Sequence, residues 1–247
     1  MLDELRHRQR SAFIAARTVA KGKRRLLRVD GGRALPASAA QRDAVVDFMH
    51  RFAKTQTDPG FFRVLDVARR IAGTGSLGVD RYAILVEGKG SPDRNYLLDL
   101  TATLPSSLVA RLKVAQPKWP TEAERVVTLQ RRLQAVPMAW LQAVRFGEAP
   151  CVLRALQPSE DRVRLNGAAG DAAPRQALMA EMGRIVAWAQ LRSAGCSGSA
   201  GADELIDYAG RSKWKAQLMA ASRDSAAQLL HDAADYAAAY DDGAFDG

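Results

Sequence analysis

Three glycines are the residues whose spacing most suggests chemistry. Gly73, Gly75 and Gly78 stand in G-x-G-x-x-G register, with Thr74 and Ser76 between them, in the segment IAGTGSLGVDRY. Glycines at that spacing let backbone amides close on a phosphate group, because no Cβ holds the chain away. A dinucleotide-binding turn leads from a strand into a helix. Here Tyr82, Ile84, Leu85 and Val86 follow and Gly88 ends the run, so a strand is predicted on the far side. Two readings stay open. In one the turn covers phosphates, and Gly73, Thr74, Gly75, Ser76 and Gly78 bind the cofactor; in the other it is a plain β-turn at a sheet edge.

A glycine turn between two strands, with a third close behind, is similar to the phosphate-covering loop of protein kinases, and the cofactor it implies is ATP with magnesium. Such a site also needs a lysine on the third strand, a carboxylate on the next helix, a catalytic carboxylate and metal ligands. The predicted third strand, NYLLDLTAT, has Asp99 and Thr101 where the lysine is wanted. Glu122 and Glu124 open the next helix, but capping accounts for Glu124 and solvation for Glu122. Lys89 falls in the loop after the second strand, where an exposed lysine is ordinary. No catalytic residue is assigned, and whether the chain is an enzyme stays open.

Other chemistries find less. His7, His50 and His231 are scattered, with no carboxylate or cysteine spacing to join them in a metal site, and no metal ligand is assigned. Ser76, Ser106 and Ser107 lie in turns, outside any G-x-S-x-G. Cys151 and Cys196 have neither redox nor ligand spacing and read as packing or loop residues. The acidic run DYAAAYDDGAFDG lacks a calcium-loop pattern and reads as a frayed tail.

The net charge of +9 is unevenly spread. Residues 1–33 hold ten Lys or Arg against three Asp or Glu, whereas residues 224–247 hold six Asp and no Lys or Arg. The basic segments LRHRQR and KGKRR lack interleaved aromatics, only Phe13 lying near them, so a solvated face or a docked acidic tail is expected rather than nucleic acid. With 247 residues, 47% of them apolar, the chain can bury a core. No run approaches the ~18 apolar residues of a membrane span, and MLDELRHRQR lacks the core of a signal peptide. No membrane partner is expected, and the expected address is the cytoplasm.

The elements that must position the glycine turn follow from period and punctuation. Residues 2–19 have helical composition, and Val45, Phe48, Met49 and Phe52 recur at the spacing of one helical face near residues 40–54. Strands are predicted at 64–72, 81–87, 95–100, 140–146 and 151–156. Thr121 and Glu124 supply a capping box for a helix over 122–135, with Val126, Val127, Leu129 and Leu133 on its apolar face. Helices follow at 175–192 and, with interruptions, from Asp203 to about Tyr240. The expected fold is α+β: a small antiparallel five-stranded sheet with a crossing helix, like a kinase N-lobe, followed by an all-helical lobe. The expected division is a helical segment over 1–60, the sheet and its helix over 61–158, and a helical lobe over 159–247.

The segments VARRIAGTGSLGVDRYAILVEGKG, NYLLDL, LPSSL, AERVVTLQRRLQA and AWAQLRSAG, in this order, resemble the second half of the domain of unknown function 2252 family, an uncharacterised bacterial group. The resemblance runs from about residue 25 to 240 and is most specific at the glycine turn. Family members typically carry an N-terminal half with G-D-x-H-x-x-N and N-D-F-D-E patterns, which resemble catalytic and metal-binding loops of small-molecule kinases. This chain lacks both patterns. Where relatives carry Lys-Glu-Ala after the third strand, it has Thr101, Ala102 and Thr103, and Gln190 stands where many have histidine. The resemblance therefore implies a truncated or split member that keeps a phosphate-binding turn, with a separate polypeptide carrying the missing half as its partner. The alternative is a non-catalytic interaction module that binds no nucleotide.

Overall fold

The computed structural model describes residues 7, 9–22, 24–73, 78–90, 94–158 and 172–245. In chain order its regular elements are α1 (Arg10–Arg17), β1 (Thr18–Lys21), β2 (Arg24–Leu27), β3 (Ala34–Pro36), α2 (Ala39–Ala53), β4 (Val64–Arg70), β5 (Arg81–Val86), β6 (Tyr96–Ala102), α3 (Glu122–Leu133), β7 (Gln142–Phe146), β8 (Ala149–Ala155), α4 (Ala172–Ser193), α5 (Ala202–Gly210) and α6 (Lys213–Asp241). By internal contacts the chain divides into two compact units, Met1–Arg192 and Ser193–Gly247. No helix among the described residues is long and apolar enough to cross a membrane.

The fold is mixed, and its main sheet is antiparallel throughout, in the order β3-β4-β5-β6-β8-β7. The five predicted strands are its last five members. The expectation of a five-stranded sheet is corrected by β3, which pairs Ala34 with Arg70 and Pro36 with Ala68 at the β4 edge. Three residues after an Asp-Gly-Gly turn are too few to show a period, and a proline, which cannot donate to a ladder, fits an edge strand. The helical reading of residues 2–19 holds for Arg10–Arg17 and then fails. Thr18 begins a two-stranded hairpin that turns at Gly22, whose φ of 60° suits glycine. Residues 1–6 lie outside the described part of the chain.

Alternation along the strands gives the sheet two faces. On one, Val67, Tyr82, Ile84, Val86, Leu98, Leu100 and Leu153 meet Val45, Phe48, Met49 and Phe52 of α2 in the main core. Ser38 starts α2 with a capping box, its hydroxyl accepting from the Gln41 amide while Gln41 accepts from the Ser38 amide. The other face is covered in two patches. Ile14 of α1 and Leu27 of β2 sit on Ala68, Ala83, Leu85 and Leu97, while Ala123 and Val127 of α3 pack with Leu141 and Val152. Thr121 caps α3 as predicted, accepting from the Glu124 amide at 3.2 Å. Of the expected face Val127 is buried and Val126 packs half-buried beside it; Ala123 is the other buried residue, and Leu129 and Leu133 are half-buried.

Asp66 fastens the hairpin to the sheet. Its Oδ2 accepts from the Leu27 amide at 2.8 Å, and its Oδ1 meets Arg42 of α2 at 2.6 Å. The β5–β6 connection is equally constrained. Gly88 has φ 65°, and a Cβ there would stand 2.3 Å from the Arg94 carbonyl oxygen. Gly88→Ala should therefore destabilise the protein by about 2–3 kcal/mol, the combined effect of left-handed backbone and backbone clash. A urea melt reads this directly; an unchanged midpoint would mean that the chain takes another path through the turn.

Candidate functional site

The strip of sheet between the two patches carries charge. β4 delivers Arg70, β5 delivers Arg81, β6 delivers Asp99 and Thr101, and β8 delivers Arg154. The register places them together, since Ala83 pairs with Asp99, Asp99 with Arg154, and Arg81 with Thr101. Each arginine stands two residues from a buried apolar position on the same face: Arg70 after Ala68, Arg81 before Ala83, Arg154 after Val152. The alternation that builds the core thus aims these three side chains inward.

Asp99 is the centre of the cluster. Its carboxylate side chain is only 2% exposed, and it accepts from Arg70 Nη1 at 2.8 Å and from Arg154 Nε at 3.2 Å. Among the described residues one negative charge is shared by two guanidiniums, which leaves a surplus positive charge. Arg81 donates from Nη1 to the Ala72 carbonyl at 2.7 Å, which ties the start of the glycine turn to the strip. Burial pulls the Arg81 pKa below the ordinary guanidinium value, Asp99 opposes that, and Arg70 and Arg154 add to it. Arg81 remains a cation at neutral pH.

The cluster is reachable. Arg70 and Arg154 keep 22% and 25% of their side-chain surface, and each guanidinium has further N–H groups beyond the one given to Asp99. Thr101 Oγ1 is buried and has no hydrogen-bond partner among the described residues. A buried hydroxyl left unsatisfied costs free energy, and a ligand oxygen would relieve it. The arrangement can hold an anion: two or three forked donors, a hydroxyl, and a low-dielectric wall on either side.

The residues named from the sequence fall as follows. Gly73 and Gly78 have φ of 77° and 80°, and lie between β4 and β5, which pair antiparallel as expected of a turn joining adjacent strands. Thr74, Gly75 and Ser76 lie outside the described residues. Thr101 shares the face of Asp99. Glu122 is engaged by Arg125 Nε at 2.6 Å, and Lys89 is exposed. His231 pairs with Asp235 along α6 at 3.0 Å, and His50 lies in the last turn of α2. Among the described residues no three His, Cys, Asp or Glu gather as metal ligands.

Sequence reasoning passed over the arginines because it searched for a lysine on one strand. The available signal was a charged residue at the inward register of three predicted strands, which a core-facing position does not tolerate without a partner.

Cys151 sits on the opposite face of β8, buried beside Tyr82 and Leu100 in a small recess of about 170 Å³. Burial pushes its thiol up to about 11. At pH 8 about one molecule in a thousand then carries the thiolate, so iodoacetamide should label Cys196 and leave Cys151 intact, as peptide mass mapping would show. A raised folded-state pKa also means stability that is complete below about 9 and lost as pH climbs through about 11. Equal labelling of both cysteines in the folded protein would contradict the placement of β8.

A family model described as an uncharacterized protein conserved in bacteria (DUF2252) matches residues 1–242. No curated protein and no solved structure matches the chain.

Proposed function

The chain belongs to this uncharacterised bacterial family, DUF2252, and from that footing we propose that it binds a phosphate-bearing ligand between the β4–β5 glycine turn and the Arg70, Arg81 and Arg154 strip. The observation that carries the reading is the charge balance around Asp99 among the described residues, where one buried carboxylate serves two half-buried guanidiniums. Partly desolvated cations in surplus attract an anion strongly, and arginine forks match phosphate geometry. The cation that the sequence lacks on the third strand is supplied here from its neighbours. Arg81 stands opposite Thr101 in the β5–β6 ladder. Kinase-like phosphotransfer, with ATP and magnesium, remains part of this proposal only with a second polypeptide. Asp99 is occupied by arginines, and the G-D-x-H-x-x-N and N-D-F-D-E patterns would come from that partner.

Melting curves test the reading. Millimolar inorganic phosphate, and ATP with magnesium, should each raise the melting temperature of the protein, by mass action on the folded state. Unchanged melts with both would overturn it.

A second reading, a non-catalytic interaction module, is favoured by a separate observation. α4 exposes Met182, Ile185, Val186 and Trp188, and α6 exposes Leu218, Met219, Leu229, Leu230, Tyr236 and Tyr240. Apolar side chains in such numbers along helices mark contact surfaces. If this is the chain's whole role, phosphate and nucleotide leave the melt untouched while α4 and α6 variants lose a partner.

A further inference from the structure

α6 runs for 29 residues, and none of them is buried. The same is true of every described residue in the unit Ser193–Gly247 to which it belongs. A helix standing alone in water is marginal, because most helical stability comes from packing an apolar face. α6 has such a face. Ser222, Ala226, Leu229, Ala233, Tyr236 and Tyr240 recur at alternating intervals of four and three, which sets them in one stripe along the helix. Leu229, Tyr236 and Tyr240 are 69%, 60% and 64% exposed, and the two tyrosine rings stack on each other. The charges lie off the stripe. Asp224, His231 and Asp235 fall on the opposite side, where His231 meets Asp235 at 3.0 Å. Arg223 and Asp241 stand about five whole turns apart and so share one edge of the stripe.

We propose that α6 pairs with α6 of a second copy of the chain, antiparallel, about a two-fold axis level with His231. That register sets Leu229 against Ala233 of the partner subunit, Tyr236 against the partner's Ala226, and Tyr240 against the partner's Ser222. Each large side chain meets a small one, so the two helices can approach closely. Arg223 then lies beside the partner's Asp241 on the shared edge, and the contact occurs twice by symmetry. A parallel pair would set Asp241 and Asp242 against their own copies and align the two helix dipoles. The face therefore carries both halves of each contact, in shape and in charge, which fits a second copy rather than an unrelated protein. The pairing rests on the interaction-module reading, to which it gives an occupant for α6, and it needs nothing from the arginine strip.

Sedimentation velocity of the whole chain at micromolar concentration should show a dimer. Leu229→Glu brings a carboxylate into the seam from each copy and should weaken the dimer by about a hundredfold or more. Ala238→Glu adds the same charge on the far side of α6 and should leave the dimer within about twofold of wild type. Disulfide trapping reads the direction of the pair in chains that also carry Cys196→Ser. A mixture of Ser222→Cys and Tyr240→Cys chains should form the mixed disulfide on air oxidation, and neither like-with-like product, because like positions sit about 27 Å apart along an antiparallel pair. Like-with-like disulfides overturn the antiparallel register. A dimer indifferent to Leu229→Glu overturns the α6 seam. A monomeric wild type overturns the pairing altogether and leaves the interaction-module reading to its own test with α4 and α6 variants.

Discussion

Asp99→Asn should destabilise the protein by about 3 kcal/mol, one of the largest effects expected of a single side chain here. Removing one member of a buried ion pair leaves the other charge without compensation, which typically costs about 3–5 kcal/mol. The lower end applies because Arg70 and Arg154 keep 22% and 25% of their side-chain surface and can draw on water. Asparagine preserves volume and one acceptor, so the loss reports charge rather than a cavity. The variant should also answer phosphate more strongly than wild type does, because an anion then replaces the missing carboxylate and stabilises the fold by mass action. Denaturant melts with and without phosphate measure both effects. A variant as stable as wild type would mean that Arg70 and Arg154 do not converge on Asp99.

Arg81→Met should lower phosphate affinity by about tenfold to a hundredfold, the range for losing a hydrogen-bonded charge contact in a partly desolvated site. Stability should suffer less than in Asp99→Asn, because Arg70 and Arg154 still hold the carboxylate. The substitution also removes the donor to the Ala72 carbonyl, so some loosening of the glycine turn is expected. Thr101→Val separates the two contributions. Valine copies the shape of threonine and removes a hydroxyl that has no partner among the described residues, so the apo protein should be as stable or slightly more so while phosphate binds a few-fold more weakly. Titration of phosphate against both variants reads the outcome, and wild-type affinity in Arg81→Met would remove this residue from the site.

Much of the scaffold was legible because its signals are local. The strands around Tyr82, Leu98 and Leu153 announce themselves by apolar alternation bounded by Gly73, Gly78, Gly88 and Gly147, and α3 by its Thr121 cap. β3 and the β1–β2 hairpin escaped because strands of three and four residues are too short to show a period. The burial of Ala123 in α3 escaped for another reason. Ala123 and Val127 are chosen over Leu129 and Leu133 by the shape of the sheet beneath, which no helical wheel contains. The site was half legible. The glycine turn stood out by composition, but its surroundings depend on register: Arg70, Asp99 and Arg154 span 84 positions of sequence and meet only when four strands align. Asp99 is the instructive case. Read alone it marks the absence of a lysine, and read across the sheet it is the carboxylate that gathers the cations.

Phosphate binding requires an anion in the arginine strip, and tungstate makes such an anion visible. Its oxygens mimic phosphate and its metal scatters anomalously. A crystal of the whole chain grown or soaked with sodium tungstate should show one anomalous peak within hydrogen-bond reach of the Arg70, Arg81 and Arg154 guanidiniums and Thr101 Oγ1. The peak should disappear in Arg81→Met crystals treated in the same way. Tungstate bound elsewhere on this basic protein, with the strip empty and Asp99 still holding its two arginines, would contradict the phosphate-binding reading.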